Sequence, residues 1–585
     1  MKISRLALGL TLSMLTLTSA HAAKYRVIEL PLRDKGVNSF ATAINERGDV
    51  VASIESPFNP PIDIDIIDFE SETLIRSLTD VNGASVGNIN DADLLTLYNF
   101  ITASTRGSNI VRNNFFRQSN ESTNPFLQQI ANVQSYVLVN NEAEAITGFD
   151  QVSQDLGGLT KSADTLVKGI NAFSMTVGLA EAPYRKINYR NNSGDNLKYH
   201  VSDFVVRGFL DINGTTFDVM PTETIGGGIS VANDINNSFE VAGYGSIEIN
   251  PSFEALLEQC DDEQERGDIP EEVCVRSLRD QYLAAINNNL NSPRGVIRPI
   301  DTSYLRRAMI WEFNAQGELL DSVELGTLID PVPGDNRYFS SRATAINNNG
   351  IAVGASDKYF QDNSSSIIEM AAIFDGEETI GFIDDQNYFQ SAALDINDND
   401  IVVGFATKVI NQSRRNKFFV HDYRGEVTIF PDDFFNSSSS VARGINNNNL
   451  VVGEGEVDTD LIGSRRSEAF IYDIDNDEFT NINSLLSCDS PYTIVQAMAI
   501  NDENEIAANA IVYRERSAIN GELALDAQGN TIFGNVSVAV KLVPIPGGTV
   551  DDCDKNTLVL DRKGASSWYL LGLLLLPLIR VFYKK

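Results

Sequence analysis

Short apolar runs and polar clusters alternate along most of this chain, and one arrangement of them recurs. Residues 341–356 read SRATAINNNGIAVGAS, residues 391–406 read SAALDINDNDIVVGFA, and residues 441–456 read VARGINNNNLVVGEGE. Each copy has small or apolar residues, an Ile-Asn step, a polar turn, and an apolar stretch ending at Gly or Ala. Aligned on the Ile-Asn step, the knot recurs at Ile44, Ile89, Ile170, Ile235, Ile346, Ile396, Ile445 and Ile500, with a variant at Val139-Asn140. Between Ile346 and Ile500 the spacings are 50, 49 and 55 residues. Asn and Gly tolerate the positive φ of tight turns, and Asn side chains bond to nearby backbone. The flanking runs are short and β-branched, so each knot is predicted to be a hairpin turn.

A second pattern follows most knots: RAMIWEFNAQGELLDSV around Trp311, MAAIFDGEETIGFI around Phe374, KFFVHDYRGEVTIF around Phe419 and EAFIYDIDNDEFTNI around Phe470. Each reads as an apolar strand, an Asp/Gly/Asn turn and a further strand. Two hairpins per period make a four-stranded antiparallel sheet, which at this repeat length is the signature of a β-propeller blade. One blade cannot bury both its faces, so stacked copies supply the core. The expected fold is all-β, a propeller of roughly seven to nine four-stranded blades with a small helical insertion.

The 111 residues between Ile235 and Ile346 leave room for that insertion, which the composition places at 251–292. PSFEALLEQC puts Phe253, Leu256, Leu257 and Cys260 on one helical face. Asp268 and Glu271 have capping-box spacing with Pro270 in the first turn, ahead of a stripe of Cys274, Leu278, Tyr282 and Ile286. A helical hairpin covering propeller surface is expected there, with partner docking as the alternative. The chain then divides into a signal peptide (1–22), the first part of the propeller (23–250), the insertion (251–292), the second part of the propeller (293–561) and a sorting or transmembrane tail (562–585). Residues 24–30, KYRVIEL, form a lone strand before the first knot, and residues 536–545, VSVAVKLVPI, a strand without a downstream partner. Open edges invite aggregation, so these two are expected to pair and close the ring.

Both ends carry export features. Lys2 and Arg5, an apolar run from Leu6 to Leu17 and the pattern Ala20-His21-Ala22 describe a secretory signal peptide cut between Ala22 and Ala23. The C-terminus has a small-residue stretch, an apolar run from Trp568 to Ile579 and a basic finish of Arg580, Lys584 and Lys585. It resembles the GlyGly-CTERM sorting signal of Gram-negative bacteria, with Gly564-Ala565 where that family has two glycines. The resemblance implies cleavage by a rhombosortase-like protease after signal peptidase has acted, and release to the surface or medium. The alternative is a tail anchor in the inner membrane, with the body in the periplasm. The repeats INNNGIAVG, AMIWEF and LGTL (Leu325–Leu328) resemble those of HAF-repeat extracellular proteins, and the whole chain resembles an uncharacterised family of large secreted gammaproteobacterial proteins. These resemblances imply a fold and no activity.

The chain has 585 residues and a formal charge of −35, and removing the two cations before residue 23 and the five after Asp561 takes the body to −42. Such a body repels nucleic acid, whose affinity comes from phosphate neutralisation. Cys260, Cys274, Cys488 and Cys553 form an even set in an oxidising compartment, read as Cys260–Cys274 and Cys488–Cys553 disulfides. The second would secure the closing blade. His200 and His421 are the only histidines after the signal, and no GxSxG, HExxH or phosphate-binding Gly-rich loop is present. TIGGGIS at 224–230 reads as a tight turn. Asp473, Asp475 and Asp477 begin like a calcium loop without its Gly or closing Glu, and the stretch holding Asp63, Asp65 and Asp68 begins by alternating like a strand. Neither a catalytic residue nor a cofactor site is assigned; Asp473, Asp475 and Asp477 are the metal candidates, for surface calcium. The leading reading is a non-enzymatic propeller, secreted or surface-anchored, that meets an extracellular protein or polysaccharide. The alternatives are a polymer-acting hydrolase or lyase with paired carboxylates, and a calcium-dependent matrix or adhesion component.

Overall fold

A computed structural model describes residues 24–59, 61, 131–140, 142–154, 157–279, 303–329, 337–459, 465–518, 520–526 and 528–551. Within them lie seven four-stranded antiparallel sheets and two small two-stranded ones. The inner strands of blades 1 to 7 are Gly36–Ile44, Thr165–Ile170, Ser230–Ile235, Ser341–Ile346, Gln390–Ile396, Ser440–Ile445 and Tyr492–Ile500. Each inner strand lies beside the next and the first beside the last, so the sheets close into a seven-bladed propeller around a central channel. The count falls at the lower bound of the seven to nine expected.

Two features of the sequence explain how the blades are built and stacked. Every inner strand carries a bulge just before its knot, as between Ala343 and Ala345 or between Ala393 and Asp395. The bulge drives an inner-strand carbonyl toward the second strand, where the last residue of the VVG-type run must have almost no side chain. A Cβ at Gly354, Gly404 or Gly453 would lie 2.0 to 2.1 Å from the carbonyl oxygen of Arg342, Ala392 or Val441. These glycines are needed for close approach, not for turning. Blades 1 and 7 place Ala52 and Ala508 at this register. Serines then bridge neighbouring blades: the hydroxyls of Ser230, Ser341, Ser391 and Ser440, each on an inner strand, accept from Gly208, Ala308, Ala371 and Phe418 N–H on the third strand of the preceding blade. Trp311, Phe374, Phe418 and Phe470, buried on third strands, fill the space between sheets.

Blade 7 takes its outer strand from the other end of the chain. Tyr25–Glu29 pairs antiparallel with Phe533–Pro544, from Tyr25 opposite Pro544 to Glu29 opposite Val540. This is the predicted closure. Cys553, the expected partner of Cys488, lies outside the described residues, as do the Ile89 knot, Asp63, Asp65, Asp68, the segments 1–22 and 562–585 with Ala22, Ala23, Gly564 and Ala565 at their edges (Ala23 being the last residue before the described chain), and Tyr282 and Ile286.

One predicted knot is corrected. Val139-Asn140 is the turn between the third and outer strands of blade 1, not a junction between inner and second strands. Asn140 has φ 51°, so its local chemistry matches a knot while its place in the blade does not.

The connections from second to third strands emerge opposite the knots and are long in several blades. In blade 3 this connection holds the helix Pro251–Glu258, a turn of helix at Glu263–Arg266 and a helix over residues 271–279. The Cys260–Cys274 disulfide links them as expected. Phe253 and Leu257 pack on Val205, Val206, Ile229 and Tyr304, covering the edge between blades 2 and 3. Asp268 does not form the predicted capping box: its carboxylate accepts from Tyr189 Oη at 2.7 Å and Asn192 N at 2.7 Å. Those residues belong to the hairpin of Arg185–Arg190 and Asn196–Val201 inserted at the same level of blade 2. The predicted tight turn at 224–230 is present, with Gly226, Gly227 and Gly228 all at positive φ. Among the described residues no helix is long and apolar enough to cross a membrane.

Candidate functional site

The seven asparagines of the knots meet at one end of the channel. Asn45, Asn171, Asn236, Asn347, Asn397, Asn446 and Asn501 are 1 to 4 % exposed. Each Nδ2 donates to the main-chain oxygen of the next asparagine at 2.9 to 3.2 Å, and Asn501 returns to Asn45, so the circle closes. The Oδ1 atoms are turned inward on their own knots. Asn397 Oδ1 accepts from Asn399 N and Ile401 N, and six of the seven asparagines take two such bonds. Each asparagine thus caps its turn and ties it to the next blade. A shallower circle uses the following residue: Ala172, Asn237, Asn348, Asp398, Asn447 and Asp502 N–H each donate to the side chain one blade on. Ala172 cannot accept, so this outer circle has a gap.

Above the asparagines lies a cavity of about 460 Å³. Its wall includes the residue three before each asparagine: Thr42, Lys168, Asn233, Thr344, Leu394, Arg443 and Met498. The blades agree at the framework positions on either side and diverge here, in charge and size. Phe40, Leu166 and Val231, two residues earlier on three of the strands, add apolar wall, with Arg342 at the same level. The cavity extends to Glu55, Asn132, Arg306 and Glu369, toward the face that carries the insertions.

Charges in this channel are mostly matched. Arg443 grips Glu454 through Nε at 3.0 and 3.1 Å and Nη2 at 2.6 Å. Arg342 pairs with Glu369. Arg306 lies over the Tyr244 ring, 6.0 Å from its centroid. Lys168 differs: among the described residues no hydrogen bond or ion pair engages its ammonium, and burial, then repulsion from Arg443, pushes it down to about 8.

Asp234 and Asp395 sit beside these groups on bulged inner strands. Burial pushes Asp234 up to about 6, and burial followed by repulsion from Asp234 pushes Asp395 up to about 8. Two carboxyls so displaced in a cavity have the profile of an acid–base pair. Their bonds assign them to the framework instead. Asp234 accepts from Ile235 N and, across the blade boundary, Ile346 N, and Asp395 accepts from Ile396 N and Ile445 N.

A pH dependence follows from the raised values. The unfolded chain releases this proton near pH 4 and the folded chain holds it to about 8, so the native state binds the extra proton and stability falls as pH rises between them. The unfolding free energy of wild type relative to Asp395→Asn is therefore expected to drop across pH 4–8, by at most about 1.4 kcal/mol per unit. Urea unfolding of both proteins at each pH checks this; a difference independent of pH would refute it.

The residues singled out from sequence are placed elsewhere. His421 Nδ1 bonds Thr428 Oγ1 at 2.8 Å, the ring stacks on Phe382, and burial pushes it down to about 4. It is a neutral packing residue. Asp473, Asp475 and Asp477 lie at the turn between the third and outer strands of blade 6, each in a bond of its own. Asp473 accepts from Asn476 N and Nδ2, Asp475 from Asn449 Nδ2, and Asp477 from Tyr472 Oη. Among the described residues no group of three or more His, Cys, Asp or Glu is placed to hold a metal ion. Sequence reasoning missed Lys168, Arg443, Asp234 and Asp395; their constant offset from each Ile-Asn step is the signal that finds them.

Solved structures resemble this chain only at low similarity. An acylaminoacyl peptidase of Pyrococcus horikoshii is 10 % identical with a TM-score of 0.30, over 63 % of this chain and 50 % of that one. The β-propeller domain of the Trilobed protease from Pyrococcus furiosus, which has an open velcro topology, is 11 % identical with a TM-score of 0.25, over 60 % of this chain and 87 % of that one. A puromycin-hydrolyzing peptidase of Mycobacterium tuberculosis is 7 % identical with a TM-score of 0.23, over 84 % of this chain and 61 % of that one. The chain spans only half the length of the first of these, and nothing about its activity follows from them. No curated protein matches. Residues 1–581 match the model of a family described as "Protein of unknown function (DUF3466)", and the chain belongs to that family.

Proposed function

We propose that this protein is an exported, non-enzymatic binding propeller whose ligand enters the central channel from the face bearing the insertions. The observation that carries this reading is the divergence of the blades at the channel position, three before each knot asparagine, against repetition at the asparagine, the serine and the glycine. A scaffold needs the repeated positions; a ligand needs varied side chains at one level, and six residue types stand at these seven places. Channel cavities of 300–1,000 Å³ suit small organic ligands, and this one is about 460 Å³. An extracellular protein or polysaccharide end could present such a group at the mouth. The resemblances of the two termini support export, with a mature chain starting at Ala23 and a tail processed near Gly564-Ala565 or kept in the membrane.

The test is to equilibrate the purified protein with the low-molecular-mass fraction of spent medium, wash, denature, and identify what is released by mass spectrometry. Wild type is expected to release a specific compound unaltered, and Leu394→Trp, which fills the channel, to release none. Conversion of that compound by wild type and not by the variant would overturn the non-enzymatic reading in favour of a hydrolase or lyase.

A further inference from the structure

We infer that the channel ligand is a small monocarboxylate with an apolar body, its carboxylate held between Lys168 and the free edge of the Arg443 guanidinium. This rests on the channel being the binding site. Lys168 and Arg443 occupy the same register on the inner strands of blades 2 and 6, both line the cavity, and repulsion from Arg443 acts on Lys168. Arg443 is already neutralised by Glu454, which takes Nε and Nη2, and among the described residues Nη1 has no hydrogen bond. Lys168 has no partner among the described residues. Lys168 is half-buried in the channel wall, and an ammonium partly withdrawn from water without an anion carries a desolvation cost that a ligand carboxylate would offset.

The carboxylates that share the channel do not fill that role. Asp234 and Asp395 each accept two main-chain N–H bonds, and Glu369 is taken by Arg342. Of the cations that line the channel, Arg443 and Arg342 have carboxylate partners and Arg306 lies over the Tyr244 ring, so Lys168 is the one whose partner a ligand carboxylate would supply. Arg342 Nη2 is buried without a hydrogen-bond partner among the described residues, and offers a further donor toward the wider end. Phe40, Leu166, Val231, Leu394 and Met498 supply the apolar wall for the rest of the molecule.

Calorimetric titration of the purified protein with octanoate and 2-naphthoate tests this, with octanamide as the uncharged counterpart. Wild type is expected to bind the carboxylates at least tenfold more tightly than octanamide. Lys168→Met should lose that tenfold preference, keep its affinity for octanamide, and melt no lower than wild type because the ammonium has no partner among the described residues to lose. Lys168→Arg should retain the preference. Equal carboxylate affinity in wild type and Lys168→Met, or no preference over octanamide in wild type, overturns the assignment and leaves the channel reading standing. Carboxylate binding that survives in Leu394→Trp places the site elsewhere and overturns both.

Discussion

Removal of residues 24–30 is expected to turn a discrete folded protein into aggregate. Tyr25–Glu29 is the outer strand of blade 7, and among the described residues no other strand pairs with that edge of Phe533–Pro544, where Asn38 Oδ1 and Ser39 Oγ also accept from Ser537 N and Ala539 N. The exchange of main-chain bonds continues past the strand, with Leu30 N donating to Ala539 O at 3.0 Å and Ile545 N to Lys24 O at 2.9 Å. Side chains secure the same seam. Glu29 accepts from Arg514 Nη1 at 2.7 and 3.0 Å and from Tyr492 Oη at 2.9 Å, while Lys24 meets Asp551 at 2.6 Å. Tyr25 and Leu30 are buried and Val27 half-buried. At about 1.5–3 kcal/mol for each large apolar side chain, their loss alone approaches the 5–15 kcal/mol that stabilises a typical domain. The newly opened edge would run over Val540–Pro544, a template for pairing with other chains. Light scattering of the truncated protein should show multimers, and a synthetic peptide of residues 24–33 should restore the monomer. Glu29→Gln, which keeps the strand, is expected to lose only about 1–2 kcal/mol, since its charged bonds are part-buried. A truncated protein that stays monomeric with unchanged melting would show the ring needs no closure.

The same seam shows what could be read from the sequence. A strand with no partner at each end, and a period of two hairpins between, sufficed to pair residues 24–30 with 536–545. Local chemistry was legible: Gly350, Asp400 and Asn449 hold the positive φ that the polar turns imply. What local chemistry could not supply was place. Asn140 satisfies the same turn preference as Asn449, yet it sits between third and outer strands, because any tight hairpin selects such residues. The glycines of IAVGA and IVVGF read as the end of an apolar run; their function depends on a bulge in the adjacent strand, visible only once register is known. The channel residues were hidden for the same reason. The bulge breaks the alternation of inward and outward side chains, so Lys168 and Arg443 look like irregularities between small residues. Asp268 had the spacing of a capping residue and was drawn instead to Tyr189 on the neighbouring blade.

The asparagine circle is where local and global roles coincide, and there a single substitution is expected to cost most. Asn397→Ala removes an Nδ2 donor to Asn446 O at 3.0 Å and an Oδ1 that accepts from Asn399 N at 3.1 Å and Ile401 N at 2.9 Å. The side chain is 4 % exposed, so water does not readily replace what is lost. Leaving a buried donor or acceptor unsatisfied costs about 1–3 kcal/mol, and with three groups affected the expected loss is about 3–5 kcal/mol. Asn397→Asp keeps both acceptors and forfeits only the donor, while placing a charge near Asn446 O. It should fall between wild type and alanine at low pH and approach alanine as the carboxyl ionises. Asp398→Ala provides the contrast. It removes the acceptor for Asn348 N in the exposed outer circle, where solvent can take over, and should cost under about 1 kcal/mol. The chain already contains that experiment: Ala172 opens the outer circle in blade 2, while Asn171 keeps the inner one intact through its bond to Asn236 O at 3.2 Å. Urea unfolding of the three variants gives the order directly. Equal losses for Asn397→Ala and Asp398→Ala would mean that the knots act as separate turns and that burial of the serines and aromatic side chains between blades, not the circle, holds the propeller closed.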